Sequence, residues 1–129
     1  MVIDTSALLA ILQREPESRV FNEAIEAAAS RLLSAGNFIE VSIVVEARTG
    51  AAGIRELDHF LETAGIEVVD VDGRQAMEAR RAFQLYGKGR HRAGLNFGDC
   101  FAYALAKIRA QPLLYKGGDF STTDILPAI

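Results

Sequence analysis

Arg90–Asp99, with the sequence RHRAGLNFGD, joins a basic, glycine-containing loop to the first turn of an apolar helix. Asn96 has the residue type of a helix N-cap, which makes Asp99 the third residue of that helix. The helix continues with an apolar stripe at helical spacing: Cys100, Phe101, Ala104, Leu105 and Ile108. The apolar segment Leu113–Tyr115 follows and predicts a short buried strand. The stretch therefore predicts a helix beside a strand, with a basic loop and an acid where the helix begins.

The same alternation of short apolar strands and helices extends along the whole chain. Strands are predicted at Met1–Ile3, Ser30–Ala35, Ile66–Val71 and Leu113–Tyr115. Helices are predicted at Ala7–Leu12, from Pro16 onward, at Val41–Ala47, at Gly53–Ala64, at Arg74–Tyr86 and after Asn96. This order favours a parallel sheet covered by helices on both faces. Because there is no repeat and no linker, residues 1–129 are expected to form a single α/β domain.

One of these segments, Val41–Ala47, is rich in β-branched residues, so a strand is an alternative there. A helix is favoured because Asn37 and Glu40 have the spacing of a capping box. Gly50, which follows the segment, is expected to end the helix. This interpretation places Asn37 at the N-cap and Glu40 in the first turn.

Composition limits the kinds of site that the chain can build. Its single cysteine, Cys100, excludes an internal disulfide and a cysteine-rich zinc site. The two histidines leave little for a metal site built on nitrogen, so oxygen ligands and therefore Mg²⁺ or Mn²⁺ are expected. The net charge of −3 does not fit nucleic-acid binding by bulk electrostatics. Any positive charge that binds a nucleic acid must therefore be local.

The first residues predict a strand that runs directly into Asp4, without the pattern of a signal peptide. No apolar run approaches the ~20 residues that a membrane helix needs. A cytoplasmic protein without membrane contact is therefore expected.

Four acids follow strands or begin helices at separate places in the chain. Asp4 follows the first strand and Asp119 lies just beyond the last one, whereas Glu40 and Asp99 are placed in first turns of helices. In parallel sheets these positions share the edge at the carboxyl ends of the strands. Gathered carboxylates repel one another and persist only around a cation. The four acids are therefore expected to bind a divalent metal, which can activate a water for attack on a phosphodiester.

Each acid also has a purely structural interpretation. Asp4 can be a helix N-cap, and Glu40 and Asp99 can be the third residues of capping boxes. Asp119 follows two glycines and can be a turn residue. Asp4 and Asp99 favour a metal site more than these alternatives do, because both adjoin apolar segments where an unpaired acid is costly.

Four segments together resemble a PIN-domain ribonuclease, and most closely the VapC-type toxins of bacterial toxin–antitoxin pairs. These segments are VIDTSALLAIL at 2–12, NFIE at 37–40, NFGDCFAYALAK at 96–107 and LLYKGGDF at 113–120. The resemblance covers essentially the whole chain. It implies a three-layer α/β/α domain with a short central parallel sheet, RNA cleavage dependent on Mg²⁺ or Mn²⁺, and inhibition by a cognate VapB-type antitoxin. It also implies a homodimer.

Carried over by position, the acids of this family fall on Asp4, Glu40, Asp99 and Asp119, both as catalytic residues and as metal ligands. The fourth position has a rival, Asp124 in the segment TTDI, so that assignment stays open. The resemblance also implies that the hydroxyl of Ser6, or that of its neighbour Thr5, lies near the first acid and holds a metal-bound water, which makes Ser6 a candidate substrate-binding residue.

The basic loop Gly87–Gly94 is not dictated by the general pattern of the family. Its Arg90, His91 and Arg92 are expected to bind the phosphates of an RNA substrate, because arginine pairs with phosphate through two hydrogen bonds. The alternative is a flexible, solvated turn.

Two other functions remain open from the sequence. The first is a phosphoacceptor signalling domain, in which Asp70 and Asp72 would end a strand and Lys116 would follow the last one. The second is a PIN-like domain that binds RNA without cutting it. Cys100 is expected to be a buried apolar residue, because no histidine is placed to activate it as a nucleophile.

Overall fold

A four-stranded, fully parallel sheet forms the centre of the protein, in a computed structural model that describes all 129 residues. The strands are β1 (Val2–Ile3), β2 (Leu32–Ser34), β3 (Glu67–Val69) and β4 (Leu113–Leu114), in the spatial order β3-β2-β1-β4. In the register, Val2 lies opposite Leu32 on one side and opposite Leu113 on the other. All four strands were predicted, although each is shorter than its apolar segment because pairing stops where the chain turns into a helix or loop.

Five helices surround this sheet: α1 (Thr5–Leu12), α2 (Ser18–Ala27), α3 (Ala35–Thr63), α4 (Gly73–Tyr86) and α5 (Phe97–Arg109). Helix α3 contains both predicted helices, at Val41–Ala47 and Gly53–Ala64. Gly50 separates its two parts, with φ of 64° and ψ of −152°. Its left-handed backbone suits glycine, which lacks a Cβ atom. None of the five helices has both the length and the apolar composition needed to cross a membrane.

The predicted start of α3 is wrong. The N-cap is Ser34, the last residue of β2, whose hydroxyl accepts a hydrogen bond from the backbone N–H of Gly36 at 3.2 Å. Asn37 is therefore inside the helix and completely buried. Glu40 lies in the second turn and belongs to no capping box. The serine caps the helix earlier because strand β2 passes into it without a loop.

The core is divided between the two faces of the sheet. Alternate strand residues point to opposite faces. Ile3, Leu33 and Leu114 pack with α1, α2 and α3, whereas the other face packs with α4 and α5 and contains Val2, Leu32 and Leu113. The expected three-layer α/β/α arrangement is confirmed. Strands β1, β2 and β4 are buried on both faces and are apolar except for Ser34 at the end of β2, whereas edge strand β3 exposes Glu67 and Val68.

The carboxyl ends of the strands bring distant parts of the chain together. Central strand β1 runs into α1, its neighbour β2 runs into α3, and its other neighbour β4 runs into the segment that contains Asp119. Helix α5 leads back to the start of β4, so the beginning of α5 lies at the same edge as the ends of the strands. The fold therefore brings Asp4, the start of α3 and the start of α5 to one edge of the sheet.

Candidate active site

Asp4 lies at the centre of this edge and is the N-cap of α1. Its Oδ2 atom accepts hydrogen bonds from the Ser6 backbone N–H at 3.0 Å and from the Ser6 hydroxyl at 2.6 Å. Its Oδ1 atom is buried and has no hydrogen-bond partner. Burial, with a smaller contribution from the negative charge of Glu40, raises the pKa of Asp4 to about 6, although the Ser6 hydrogen bonds act against this rise. The cap interpretation is confirmed, yet one carboxylate oxygen remains free for a ligand.

The hydroxyl of Ser6 connects Asp4 to the segment after β4. It accepts a hydrogen bond from the backbone N–H of Lys116 at 2.9 Å while it donates to Asp4. Ser6 therefore lies near the first acid, as the resemblance implied, and the hydrogen of its hydroxyl is donated to Asp4. The neighbouring hydroxyl of Thr5 donates instead to Glu40, at 2.5 Å.

Glu40 is held in place by two donors on the same oxygen. In addition to Thr5, the side-chain amide of Asn37 donates to Glu40 Oε1 at 3.3 Å. The same Asn37 amide donates to the backbone carbonyl of Gly98, in the first turn of α5, at 3.0 Å. Asn37 thus links α3 to α5, a role that the sequence analysis missed when it assigned this residue as a helix cap.

Gly98 allows the Glu40 carboxylate to approach the first turn of α5. A Cβ atom built at residue 98 would lie 1.8 Å from Glu40 Oε2, far inside van der Waals contact. Glycine in a helical turn lowers helix stability, so its presence beside Asp99 was a sequence signal of such a close approach. Gly98 was not among the predicted site residues.

Asp99 combines a structural role with a position among the other acids. Its Oδ2 atom accepts from the Asn96 backbone N–H at 3.0 Å, and Asn96 Oδ1 accepts from the Asp99 N–H at 2.9 Å, which confirms the predicted capping box. Burial, together with the negative charges of Asp4, Asp119 and Glu40, raises the pKa of Asp99 to about 7, although the hydrogen bond from the Asn96 N–H acts against this rise. Asp99 is therefore close enough to the other three acids for their charges to act on it.

The two candidates for the fourth acid have different surroundings. Asp119 is exposed, and its charge is among those that raise the pKa of Asp99. Asp124 accepts hydrogen bonds from the Tyr103 hydroxyl at 2.7 Å and from Lys107 Nζ at 2.8 Å. Although partial burial acts to raise the pKa of Asp124, these donors hold it below the ordinary value. Asp124 is thus engaged away from the other acids, and Asp119 is the better candidate.

The carboxylate oxygens at this edge suit a divalent cation that prefers oxygen ligands. Asp4 and Asp99 are buried carboxyl groups with raised pKa values, and Asp4 Oδ1 lacks any partner. Both features are expected of ligands whose charge is balanced by a cation. No group of three or more acidic, histidine or cysteine side chains is already arranged around one metal position. The residues fit Mg²⁺ or Mn²⁺ in chemistry, and their side chains must move together to coordinate one.

The basic loop is ordered and folds against α4. Gly87 and Leu95 pair as an isolated parallel bridge, so the loop begins and ends at one point. The Arg90 guanidinium lies 5.4 Å from the centre of the Phe83 ring. His91 Nδ1 accepts a hydrogen bond from the Ala93 backbone N–H at 3.0 Å, so His91 stabilises the loop. Arg90 and Arg92 are exposed and form no ion pair, which leaves both available to an anion.

The residues of the phosphoacceptor alternative are not brought together. Asp70 and Asp72 follow β3 and Lys116 follows β4, and these two strands form opposite edges of the sheet. Lys116 instead pairs with Glu15 and, at 3.3 Å, with Glu17. The fold therefore contradicts this alternative.

Cys100 has no chemical role at this edge. Burial, reinforced by the negative charge of Asp99, raises the pKa of the thiol to about 11. The thiolate needed for nucleophilic attack is therefore scarce at neutral pH.

The fold and the acidic edge define the class of protein. The sequence profile of the PIN domain matches residues 1–126, so the chain belongs to the PIN-domain family. Within that family it is 56% identical over 125 residues to ribonuclease VapC30 of Mycobacterium tuberculosis, which covers 97% of this chain and 95% of the relative. It is 53% identical over 125 residues to ribonuclease VapC of Mycolicibacterium smegmatis, with 97% of each covered. The chain is thus a VapC-type PIN-domain ribonuclease, as its sequence segments had indicated.

Solved structures show the same fold at much lower sequence identity. VapC20 of Mycobacterium tuberculosis, a toxin that cleaves the sarcin–ricin loop, superimposes with a TM-score of 0.76 at 15% identity, covering 97% of this chain and 95% of that one. A chain of a toxin–antitoxin complex from Klebsiella pneumoniae gives 0.69 at 17% identity, with 95% and 92% covered. These similarities confirm the three-layer architecture.

Proposed function

We propose that this protein is an endoribonuclease toxin that hydrolyses RNA phosphodiester bonds with Mg²⁺ as cofactor, and that Mn²⁺ can replace it. One observation carries the proposal: Asp4, Glu40 and Asp99 come from three separate elements and approach one another at one edge of the sheet. Membership of the VapC ribonucleases supports the same chemistry. A divalent metal held at this edge would supply an activated water and would neutralise charge that develops on the phosphate.

The residues of this edge have different tasks in the proposed reaction. Asp4, Glu40 and Asp99 would hold the metal, and exposed Asp119 would complete the set from the segment after β4. Ser6 orients Asp4 through the hydrogen bonds described above. The metal ligands act as charged carboxylates, so the raised pKa values of Asp4 and Asp99 mean that metal and protons compete for the site.

The loop before α5 supplies the positive charge that the overall composition lacks. Arg90 and Arg92 are proposed to bind the phosphates of the RNA on either side of the cut. His91, which was predicted to share this task, is proposed to contribute by supporting the loop between them, because its Nδ1 is engaged by Ala93. A local basic loop beside an acidic metal site accounts for a nuclease with a net charge of −3.

A cognate VapB-type antitoxin is the proposed inhibitor, in line with the VapC relatives and with the structural similarity to a chain of a toxin–antitoxin complex. A homodimer in the cytoplasm is the proposed working form. The exposed apolar side chains Ile39, Ile43 and Phe97 lie on α3 and α5 and support the presence of a protein contact on this part of the surface.

The proposed reaction is tested by incubating the purified, antitoxin-free protein with a mixed RNA pool in Mg²⁺, Mn²⁺ or EDTA. Asp99→Asn, prepared identically, is the inactive variant, and Asp58→Asn on the exposed surface of α3 is the matched control. Cuts that require metal, persist in Asp58→Asn and vanish in Asp99→Asn are expected. Cleavage in EDTA, or unchanged cleavage by Asp99→Asn, would contradict the proposal.

A further inference from the structure

Asn37 lies at a junction of three elements and is completely buried. Its Nδ2 atom is 3.0 Å from the Gly98 carbonyl in α5 and 3.3 Å from both Glu40 Oε1 in α3 and Thr5 Oγ1 in α1. The side chain thus lies between a proposed metal ligand and the helical turn that carries another. No other side chain in the structure donates to both α3 and α5.

The orientation of the Asn37 amide follows from its partners. A backbone carbonyl and a carboxylate oxygen can only accept hydrogen bonds, so the NH₂ group must face Gly98 and Glu40. The Thr5 hydroxyl donates to Glu40 Oε1 and can therefore accept from Asn37. Glu40 Oε1 is satisfied by two donors, whereas Oε2 lies against Gly98 without a hydrogen-bond donor. The network leaves Oε2 as the free oxygen of Glu40.

The two polar atoms of the Asn37 amide have unequal surroundings. Its Oδ1 atom is buried and has no hydrogen-bond partner, which is unfavourable in a protein interior. A leucine has the same branching and nearly the same size and would leave no unsatisfied amide oxygen, but it would remove the Nδ2 donor from Gly98, Glu40 and Thr5. The Nδ2 contacts therefore indicate what the asparagine contributes at this position.

We infer that Asn37 is a positioning residue for the metal site. It orients the Glu40 carboxylate so that Oε2 faces the metal, and it fixes the position of α3 relative to the first turn of α5. This inference rests on the proposed function, because it assumes that Glu40 binds the metal. Residues that orient metal ligands typically change metal affinity or activity by about 10–100-fold when they are removed. Asn37 does not contact substrate or metal itself.

The experiment compares Mn²⁺ binding, by calorimetry on the purified protein, in wild type, Asn37→Leu and Gln75→Leu. Gln75 is a matched control, since it is a buried amide whose Nε2 donates to a backbone carbonyl, that of Asp70, and whose Oε1 also lacks a partner. Asn37→Leu is expected to weaken Mn²⁺ binding at least about tenfold. Gln75→Leu is expected to leave it unchanged. RNA cleavage should fall in parallel with Mn²⁺ binding and recover in part at high Mn²⁺ concentration.

A double-mutant cycle with Glu40→Gln separates positioning from a general structural effect. If Asn37 acts through Glu40, Asn37→Leu should weaken Mn²⁺ binding much less in the Glu40→Gln background than in wild type. An equal loss in both backgrounds would overturn the inference. If Asn37→Leu fails to fold, Thr5→Val removes the other donor to Glu40 Oε1 and Asn37→Ala removes the amide without adding volume, and both should weaken Mn²⁺ binding in the same direction.

The outcomes distinguish this inference from the proposed function. Wild-type Mn²⁺ binding that is lost in Asp99→Asn but unchanged in Asn37→Leu overturns the role of Asn37 and leaves the metal site standing. A wild-type protein that neither binds Mn²⁺ nor cleaves RNA overturns the proposed function, and the inference with it.

Discussion

At the scale of single residues, burial at the acidic edge disfavours the charged forms of two carboxyl groups. Asp4 and Asp99 are 3% and 8% exposed, respectively, and burial favours their neutral forms. Their pKa values are raised in the folded protein, so the fold binds protons more tightly than the unfolded chain does. Their contribution to stability is fully present below about pH 4 and is lost as the pH rises through about 6 and 7. A bound divalent cation would balance the negative charge of the two carboxylates and so offset the unfavourable effect of burial.

The first prediction follows from this loss of stability as the pH rises. In metal-free protein, Asp99→Asn should melt at nearly the same temperature as wild type near pH 4 and several degrees higher at pH 8, because the amide removes a buried charge while its oxygen can still accept from Asn96. Adding Mg²⁺ at pH 8 should raise the melting temperature of wild type but not of the variant. Thermal melts by circular dichroism across pH 4–8 measure both effects. A variant that melts below wild type at pH 8 would contradict the electrostatic account.

The second prediction concerns Gly98. Gly98→Ala should displace the Glu40 carboxylate, which is the flexible end of a side chain, and should lower RNA cleavage at least about tenfold without loss of stability. Gly73→Ala, also at the start of a helix but with no atom within 4 Å of the added Cβ, is the matched control and should remain active. Melting temperatures and cleavage rates of the two variants test this. Full activity of Gly98→Ala would show that Glu40 does not act from this position.

At the scale of elements, the basic loop and the segment after β4 approach the acidic edge from different parts of the chain. The loop leads directly into α5, and its backbone is closed by the bridge between Gly87 and Leu95. The segment after β4 is fixed at its start, where the Lys116 N–H donates to Ser6. The loop and the segment after β4 are therefore each anchored to the fold at one point and exposed elsewhere, which suits contact with a substrate.

The third prediction tests the loop. Arg90→Ala combined with Arg92→Ala should raise the KM for RNA and reduce the salt dependence of RNA binding, because two phosphate contacts are lost. Metal-induced stabilisation should be unchanged. Arg55→Ala combined with Arg74→Ala removes two other exposed arginines and should have little effect. Cleavage kinetics at several salt concentrations give the answer, and equal effects of the two double variants would remove the loop from the substrate site.

The fourth prediction decides between the two candidates for the last acid. Asp119→Asn should reduce metal-dependent cleavage while the melting temperature changes little, because Asp119 is exposed. Asp124→Asn should lower the melting temperature slightly through weaker bonds to Lys107 and Tyr103, and should leave cleavage near the wild-type level. Rates and melts of the pair measured side by side make the comparison. The reverse pattern would assign the fourth position to Asp124.

Sequence patterns were informative for elements whose signals are local. The capping box of Asn96 and Asp99 was predictable because both partners lie within one turn of α5. Asn37 and Glu40 have the same spacing, but Ser34 caps α3 because β2 enters the helix directly. The contacts of Asn37 with Gly98 depend on a tertiary approach, 61 residues apart in the chain, that no local pattern contains.

At the scale of the whole molecule, the strand order explains what could be predicted of the site. Apolar segments and the alternation of strands and helices were enough for the layers, because buried strands leave short continuous apolar runs and helices buried on one side leave helical spacing in the sequence. The order β3-β2-β1-β4 was not predicted, and it is this order that sets Asp4 between the other acids. The convergence of the acids was expected from their positions after strands and at helix starts, and the resemblance to a known family, carried by residues spread along the chain, supported it.

The central position of β1 has a consequence for how the toxin is made. The strand is synthesised well before β4, and one of its edges remains unpaired until Leu113 and Leu114 of β4 have been synthesised. The bond that connects Ser6 to Lys116 joins residues 110 positions apart and forms equally late. Asp4 thus acquires its final surroundings only after residues 113–116 have left the exit tunnel. A cell that translates this nuclease is therefore exposed to its active site only after β4 has been synthesised.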